Sequence, residues 1–202
     1  MTSTTTTTRA TGRTLSWRVV DIVVASVVAV ACAVIFIAWI PLSSGPSALL
    51  TPVLPGLQGL LNGPWLLAGP LAGLIVRKPG AALFAETVAA IVSALLGAQW
   101  GVQVVFYGLV QGLAGELGFA LFRYRRFGWV QALLAAVLAG AAAAVLDLVY
   151  YYPDWTAGWK LTYVVVVVAS TVVVCGVAGT ALVRALARTG ALSSFAAGRS
   201  RV

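Results

Sequence analysis

The chain has 202 residues, of which 61% are hydrophobic and only 9% charged, with a formal net charge of +8. Soluble domains carry about 25% charged residues, so a soluble fold is excluded. The charges stand in short clusters between long uncharged runs, which argues for membrane topology and against a basic nucleic-acid face. Histidine is absent and the single methionine is Met1, which removes histidine acid–base chemistry and most zinc and haem constellations.

Residues 1–17 form a threonine-rich polar tail, expected to be disordered and cytoplasmic. The first apolar run, residues 22–40, is uncharged and long enough to span a bilayer, so it reads as a retained helix, not a cleaved signal. Residues 41–64 hold five prolines (Pro41, Pro46, Pro52, Pro55, Pro64) and four glycines, and are expected to form a long outer loop, with room for a lid. Five more spans are predicted near residues 60–76 (bent at Gly69-Pro70), 79–97, 101–123, 128–151 and 159–184. The expected fold is therefore an all-α bundle of six transmembrane helices over residues 18–188, followed by a basic cytoplasmic tail, 189–202.

Twelve of the thirteen cationic residues then fall on one side, and only Lys160 lies on the other. Arg9, Arg13 and Arg18 precede span 1; Arg77 and Lys78 follow span 2; Arg123, Arg125 and Arg126 follow span 4. Arg184, Arg188, Arg199 and Arg201 close the chain. The positive-inside rule makes that side, and both termini, cytoplasmic. The two cysteines, Cys32 and Cys175, sit mid-span among small apolar residues and read as packing residues. No phosphate-binding G-x-x-x-x-G-K-[ST] loop occurs.

Polar residues inside a span are costly and are read first as functional. Spans 3 and 4 turn near residues 98–99, which puts Glu86 level with Gln111, both roughly 18 Å below the outer turn. Gln103, Tyr107 and Gln111 recur at four-residue spacing and form one stripe, while Glu86 and Ser93 share a face of span 3. Glu116 falls off the stripe and is expected to pair structurally near the cytoplasmic end. Span 5 ends in "DLVYYYPDWTAGWK". There Asp147, Tyr150, Tyr151 and Asp154 share one helical face, with Asp147 about 6 Å below Tyr151. Trp39, Trp65, Trp100, Trp159 and Tyr163 are expected at the same outer level. An interfacial aromatic belt explains any single ring, but not a carboxylate one turn beneath several of them. Carboxylates among aromatic rings and glutamines suit an organic cation or an aminated heteroaromatic ring.

Span 1 carries Ala25, Ala29 and Ala33 at four-residue spacing, and span 5 carries Ala132, Ala136, Gly140 and Ala144. Such seams let helices approach closely, either within the bundle or against a membrane partner.

The segments "VRKPGAALFAETVAA", "WGVQVVFYGLVQGLAGELGFALFRYRRFG" and "DLVYYYPDWTAGWK" resemble the YkoE family, the thiamin/hydroxymethylpyrimidine S components of energy-coupling-factor (ECF) ABC transporters. The resemblance covers roughly residues 17–199. It implies a substrate-capture subunit of the bacterial plasma membrane, not an enzyme and without a metal or cofactor. Such a subunit works with a membrane coupling protein and cytoplasmic ATPases. It also implies that Ala25, Ala29 and Ala33 meet the coupling protein. The expected substrate-binding residues are Trp39, Glu86, Gln103, Tyr107, Gln111, Asp147, Tyr150, Tyr151, Trp155 and Trp159. Asp147 and its aromatic neighbours would take one ring of thiamin, and Glu86 with the glutamines the other, in either allocation. The alternatives are an S component for another small vitamin or precursor, and a structural membrane subunit. An intramembrane enzyme using Glu86 and Glu116 is disfavoured by their different helical faces.

Overall fold

The computed structural model describes residues 15–193 and 195–199. Most of the threonine-rich tail, with Arg9 and Arg13, and the end of the chain, with Arg201, lie outside the described residues. Six principal helices make up the described chain: α1 (Val19–Val53), α2 (Ala68–Val76), α3 (Ala81–Leu95), α4 (Gln103–Ala120), α5 (Trp129–Tyr150) and α6 (Ala157–Arg188). A single turn, Ala196–Arg199, follows. Helices α1, α5 and α6 are long and apolar enough to cross a membrane, while α2 and α3 are shorter.

The expected loop over residues 41–64 is corrected by the structure. Helix α1 runs for 35 residues, straight through Pro41, Pro46 and Pro52. That is roughly 52 Å at 1.5 Å per residue, well beyond a hydrocarbon core of about 30 Å. Each interior proline removes one backbone donor, yet nearby hydroxyls bond the local backbone. Ser43 donates to the Ile40 carbonyl, Ser44 to Pro41 and Thr51 to Ser47. At the other end, the Asp21 carboxylate accepts the Arg18 amide at 3.0 Å and pairs with its guanidinium at 2.9 Å. This places a negative charge on the positive end of the helix dipole.

After α1 the chain reverses at Gly56, whose φ of 101° lies in the left-handed region. Two 3₁₀ turns, Leu57–Leu61 and Gly63–Leu66, lead into α2. Regular helix therefore starts only at Ala68, so Pro70 sits in the first turn, where its missing N–H breaks no bond. All nine residues of α2 are buried, enclosed by α1, α3, α4 and α6. The link to α3 uses Arg77 and Gly80 at positive φ, and α3 opens after Gly80 rather than at Pro79. Helix α6 contains a π segment, Val172–Ala178, flanked by ordinary α-helix.

Small side chains dominate the crossings. Ala25, Ala29 and Ala33 are wholly buried and share a core cluster with Ala81, Ala82, Ala85 and Ala89 of α3. In the isolated chain the α1 seam packs against the bundle's own helices, chiefly α3. The opposite face of α1 is the open one, through Val23, Val27, Val30 and Val34. The α5 seam is internal as well: Ala132, Ala136 and Ala144 have no exposed surface, and Gly140 is buried.

One end of the bundle gathers the basic links. There Trp17 donates to the Pro79 carbonyl at 2.8 Å, the Arg77 guanidinium lies 5.8 Å from the Phe127 ring, and that of Arg184 lies 4.7 Å from Trp129. Glu116 has the structural role expected of it. Its carboxylate accepts the amides of Gly80 (2.7 Å), Ala82 (2.8 Å) and Leu83 (3.3 Å), satisfying orphan donors at the start of α3 from α4. Burial and the neighbouring Glu116 carboxylate push the Tyr124 hydroxyl pKa up. The cysteines are buried and unpaired, and Cys175 Sγ contacts the Gly63 carbonyl at 3.2 Å.

Candidate functional site

A cavity of about 590 Å³ opens at the end of the bundle remote from the basic links. Its walls come from α1, the two 3₁₀ turns, α3, α4, α5 and α6. This is the size range of small-ligand sites, about 300–1,000 Å³.

Its floor is built around Glu86, only 2% exposed. The Glu86 Oε2 accepts the Gly69 amide at 2.6 Å. That amide belongs to the first turn of α2 and has no partner within the helix, so the carboxylate both caps α2 and lines the cavity. Helix α4 comes close enough to present Gln111 because it carries glycine at 108 and 112. A Cβ at Gly112 would stand 3.0 Å from Glu86 Cβ, and one at Gly108 would stand 3.0 Å from the Glu86 carbonyl oxygen.

One wall is built around Asp147, in the last turn of α5. Its Oδ2 accepts Asn62 Nδ2 at 2.9 Å and the Tyr163 hydroxyl at 2.6 Å. Asn62 Nδ2 also donates to the Tyr163 oxygen at 3.0 Å, which closes a three-residue network. Gln103, Tyr107 and Tyr151 face the same space. The Tyr107 hydroxyl is buried beside Asp147 and Tyr151. Two tryptophans from different elements meet edge-on at 5.4 Å, Trp65 beside the floor and Trp100 before α4. The rim is polar, with Ser43, Ser44 and Ser47 supplied by the outer part of α1.

Of the residues singled out from sequence, the fold brings Glu86, Gln103, Tyr107, Gln111, Asp147 and Tyr151 together on the cavity lining. The other four stand outside it. Trp39 is turned away and its Nε1 donates to the Leu61 carbonyl at 2.9 Å, holding α1 to the 3₁₀ turn. Tyr150 is half exposed and packs on Phe106 and Tyr107. Trp155 stacks on Tyr152 with ring centroids 4.1 Å apart and supports the wall from behind. Trp159 is exposed. The expected common face of Asp147 and Asp154 fails because α5 ends at Tyr150. Ser93 is buried, with its hydroxyl bonded to the Ala90 carbonyl.

Sequence reasoning missed Gln58, Asn62 and the serine rim. All lie in the proline-rich stretch that reads as loop. Gln58 and Asn62 stand four residues apart, the spacing that located the stripe on α4, and this was the available signal.

The residues lining the cavity include two carboxyl groups and no lysine, arginine or histidine. Among the described residues, no group of three or more His, Cys, Asp and Glu side chains is placed to hold a metal ion. The arrangement offers a ligand of mixed character apolar rings for stacking, carboxyl groups for a cation or amine, and amides for ring edges.

Residues 20–142 match the family of the ABC-type cobalt transport system permease component. The "Putative HMP/thiamine permease protein YkoE" of Bacillus subtilis (strain 168) is 31% identical over 185 residues, which span 91% of this chain and 92% of that protein. A solved crystal structure of an S-component of an ECF transporter superposes with a TM-score of 0.82 at 31% identity, covering 91% of this chain and 92% of the other. The chain is a member of the YkoE family and an S component of the ECF transporters, the class of membrane transport subunits that bind substrate.

Proposed function

We propose that this S component captures thiamin, or its hydroxymethylpyrimidine precursor, from outside the bacterial cell. It then delivers the ligand to the cytoplasm with a membrane coupling protein and cytoplasmic ATPases. Six spans with both termini in the cytoplasm follow from the clustered basic links and the positive-inside rule, and that orientation turns the cavity outward.

The observation that carries the substrate assignment is the pairing of two separate carboxyl groups, Asp147 and Glu86, within one aromatic-lined cavity. Thiamin has a cationic thiazolium and an aminopyrimidine. Asp147, with Tyr107, Tyr151 and Tyr152 around it, suits the cationic ring through ion pairing and cation–π contact. Glu86, Gln103 and Gln111 suit the aminopyrimidine edge, where amino donors and ring acceptors alternate. The name of the Bacillus subtilis relative supports the same substrate class.

The test is tryptophan fluorescence of the purified, ligand-free protein titrated with thiamin, hydroxymethylpyrimidine and riboflavin. Trp65 and Trp100 line the cavity, so occupancy should give saturable quenching with the first two ligands and none with riboflavin. A folded protein that responds to neither thiamin nor hydroxymethylpyrimidine loses this substrate assignment.

A further inference from the structure

Hydroxyls along α6 behave in two ways. Thr162 and Thr180 turn theirs back to the carbonyls four residues earlier, those of Gly158 and Gly176, the usual habit inside a helix. Ser170 is buried and reaches out of its helix instead. Its Oγ donates to the Leu60 carbonyl at 2.6 Å and accepts the Gly63 amide at 3.0 Å. These two bonds bracket Asn62, whose Nδ2 uses both of its N–H groups on Asp147 and Tyr163. The 3₁₀ connector lies against the α6 face made by Tyr163, Val167 and Ser170, spaced i, i+4 and i+7. Glycine makes this approach possible: a Cβ at Gly59 would stand 2.8 Å from Val167 Cγ2, and one at Gly63 would stand 2.8 Å from Ser170 Oγ. Ser170 itself is not on the cavity lining.

Resting on the substrate reading above, we infer that Ser170 is a positioning residue of the ligand site. It fixes the turn that carries Asn62, and through Asn62 the Asp147 carboxyl group that receives the cationic ring. The contacts are continuous, from Ser170 Oγ to the backbone on either side of Asn62, then from Asn62 Nδ2 to Asp147 Oδ2. Without the hydroxyl, the Gly63 amide loses this acceptor and the turn loses a tie to α6. A shift there weakens the Asn62–Asp147 bond, because hydrogen bonds fall off steeply with distance and angle. Glu86, on the floor, is held by the Gly69 amide of α2 and stands outside this route.

The deciding experiment is calorimetric titration with thiamin and with hydroxymethylpyrimidine, on full chains in detergent. It compares wild type, Ser170→Ala, Asn62→Leu, the double variant and Thr171→Val. Thr171 is the control: its hydroxyl is equally buried but bonds the Ala136 carbonyl of α5, away from the turn. Ser170→Ala and Thr171→Val should both lower the thermal midpoint, so affinity is the readout that separates positioning from general support. Ser170→Ala should bind thiamin about 3- to 10-fold more weakly, the range for one hydrogen bond. Hydroxymethylpyrimidine should stay within about twofold, and Thr171→Val should bind both ligands like wild type. Added to Asn62→Leu, Ser170→Ala should weaken thiamin by less than about twofold more, because residues acting along one route are not additive. Folded Ser170→Ala protein that binds thiamin within twofold of wild type overturns the inference. So do losses that multiply in the double variant, equal losses for the two ligands, or an equal thiamin loss in Thr171→Val. All four leave thiamin binding, and the substrate reading, in place. A wild-type protein that binds neither ligand overturns both.

Discussion

Asn62 and Asp147 are 85 residues apart in sequence and joined by a 2.9 Å hydrogen bond between Nδ2 and Oδ2. Asn62 stands between the two 3₁₀ turns, and Asp147 near the end of α5. Tyr163 completes the network from α6. A carboxyl group held by two donors from different elements is fixed in position, so its ligand-binding strength depends on both. Asp147→Asn should lower thiamin affinity roughly 10- to 100-fold, the range for a hydrogen bond involving a charged group. Hydroxymethylpyrimidine, which lacks the cation, should be affected far less. Asn62→Leu should reproduce part of the thiamin loss without touching the carboxyl group itself. Titration of both ligands against both variants checks this, and equal losses for the two ligands would move the cationic ring away from Asp147.

The two buried glutamates both accept backbone amides, but at opposite ends of the bundle and with different consequences. Glu116→Ala strips the acceptor from three amides at the start of α3. Unsatisfied buried donors cost about 1–3 kcal/mol each, so the thermal midpoint should fall by several degrees. Ligand affinity of the remaining folded protein should be unchanged. Glu86→Gln retains an oxygen for the Gly69 amide, so its midpoint should move little while affinity for hydroxymethylpyrimidine falls. Melting curves with and without ligand separate the two residues. A stability loss confined to Glu86→Gln would reverse the roles.

Tryptophan replacements test which rings belong to the cavity. Trp65→Phe and Trp100→Phe should each reduce ligand-induced quenching, since both side chains line the cavity. Trp159→Phe should leave the quenching amplitude intact, because that ring is exposed and outside the lining. Steady-state titration of the three variants is sufficient.

Phosphate esters of thiamin should bind at least about 10-fold more weakly than thiamin itself, since a phosphate near two carboxyl groups gains no compensating ion pair. No cationic side chain lines the cavity. Lys160, near the same end, donates to the Pro153 carbonyl at 2.7 Å. Competition titration with thiamin monophosphate and diphosphate provides the check. The uptake system would then draw on ligand already dephosphorylated outside and leave phosphorylation to an enzyme inside.

Much of the helical architecture was legible because its signals are local and repetitive. The apolar runs, the basic links and the four-residue stripe Gln103–Tyr107–Gln111 follow from composition and the 3.6-residue period alone. Proline misled at residues 41–53, because a long apolar helix tolerates interior prolines, as α1 does at Pro41, Pro46 and Pro52. That error hid Gln58, Asn62 and the serine rim, since residues assigned to a loop were not weighed as a wall. The alanine seams were visible as motifs, but spacing does not say which helix lies opposite. In α1 it is α3, as the burial of Ala25, Ala29 and Ala33 shows. Trp39, Trp155 and Trp159 stand outside the cavity lining while Trp65 and Trp100 are on it, for facing depends on packing that chain position does not give.

The Glu86–Gly69 bond makes one carboxyl group answerable to two demands at once. A change at position 86 that removed the side-chain oxygen to suit a different ligand would also uncap α2, the helix enclosed by most of the bundle. Drift in ligand preference within this fold is therefore channelled toward positions free of backbone duty, such as Gln103, Gln111 and Ser47, while the floor stays the same. Relatives that carry different small molecules should then differ at the walls and rim and agree at the floor.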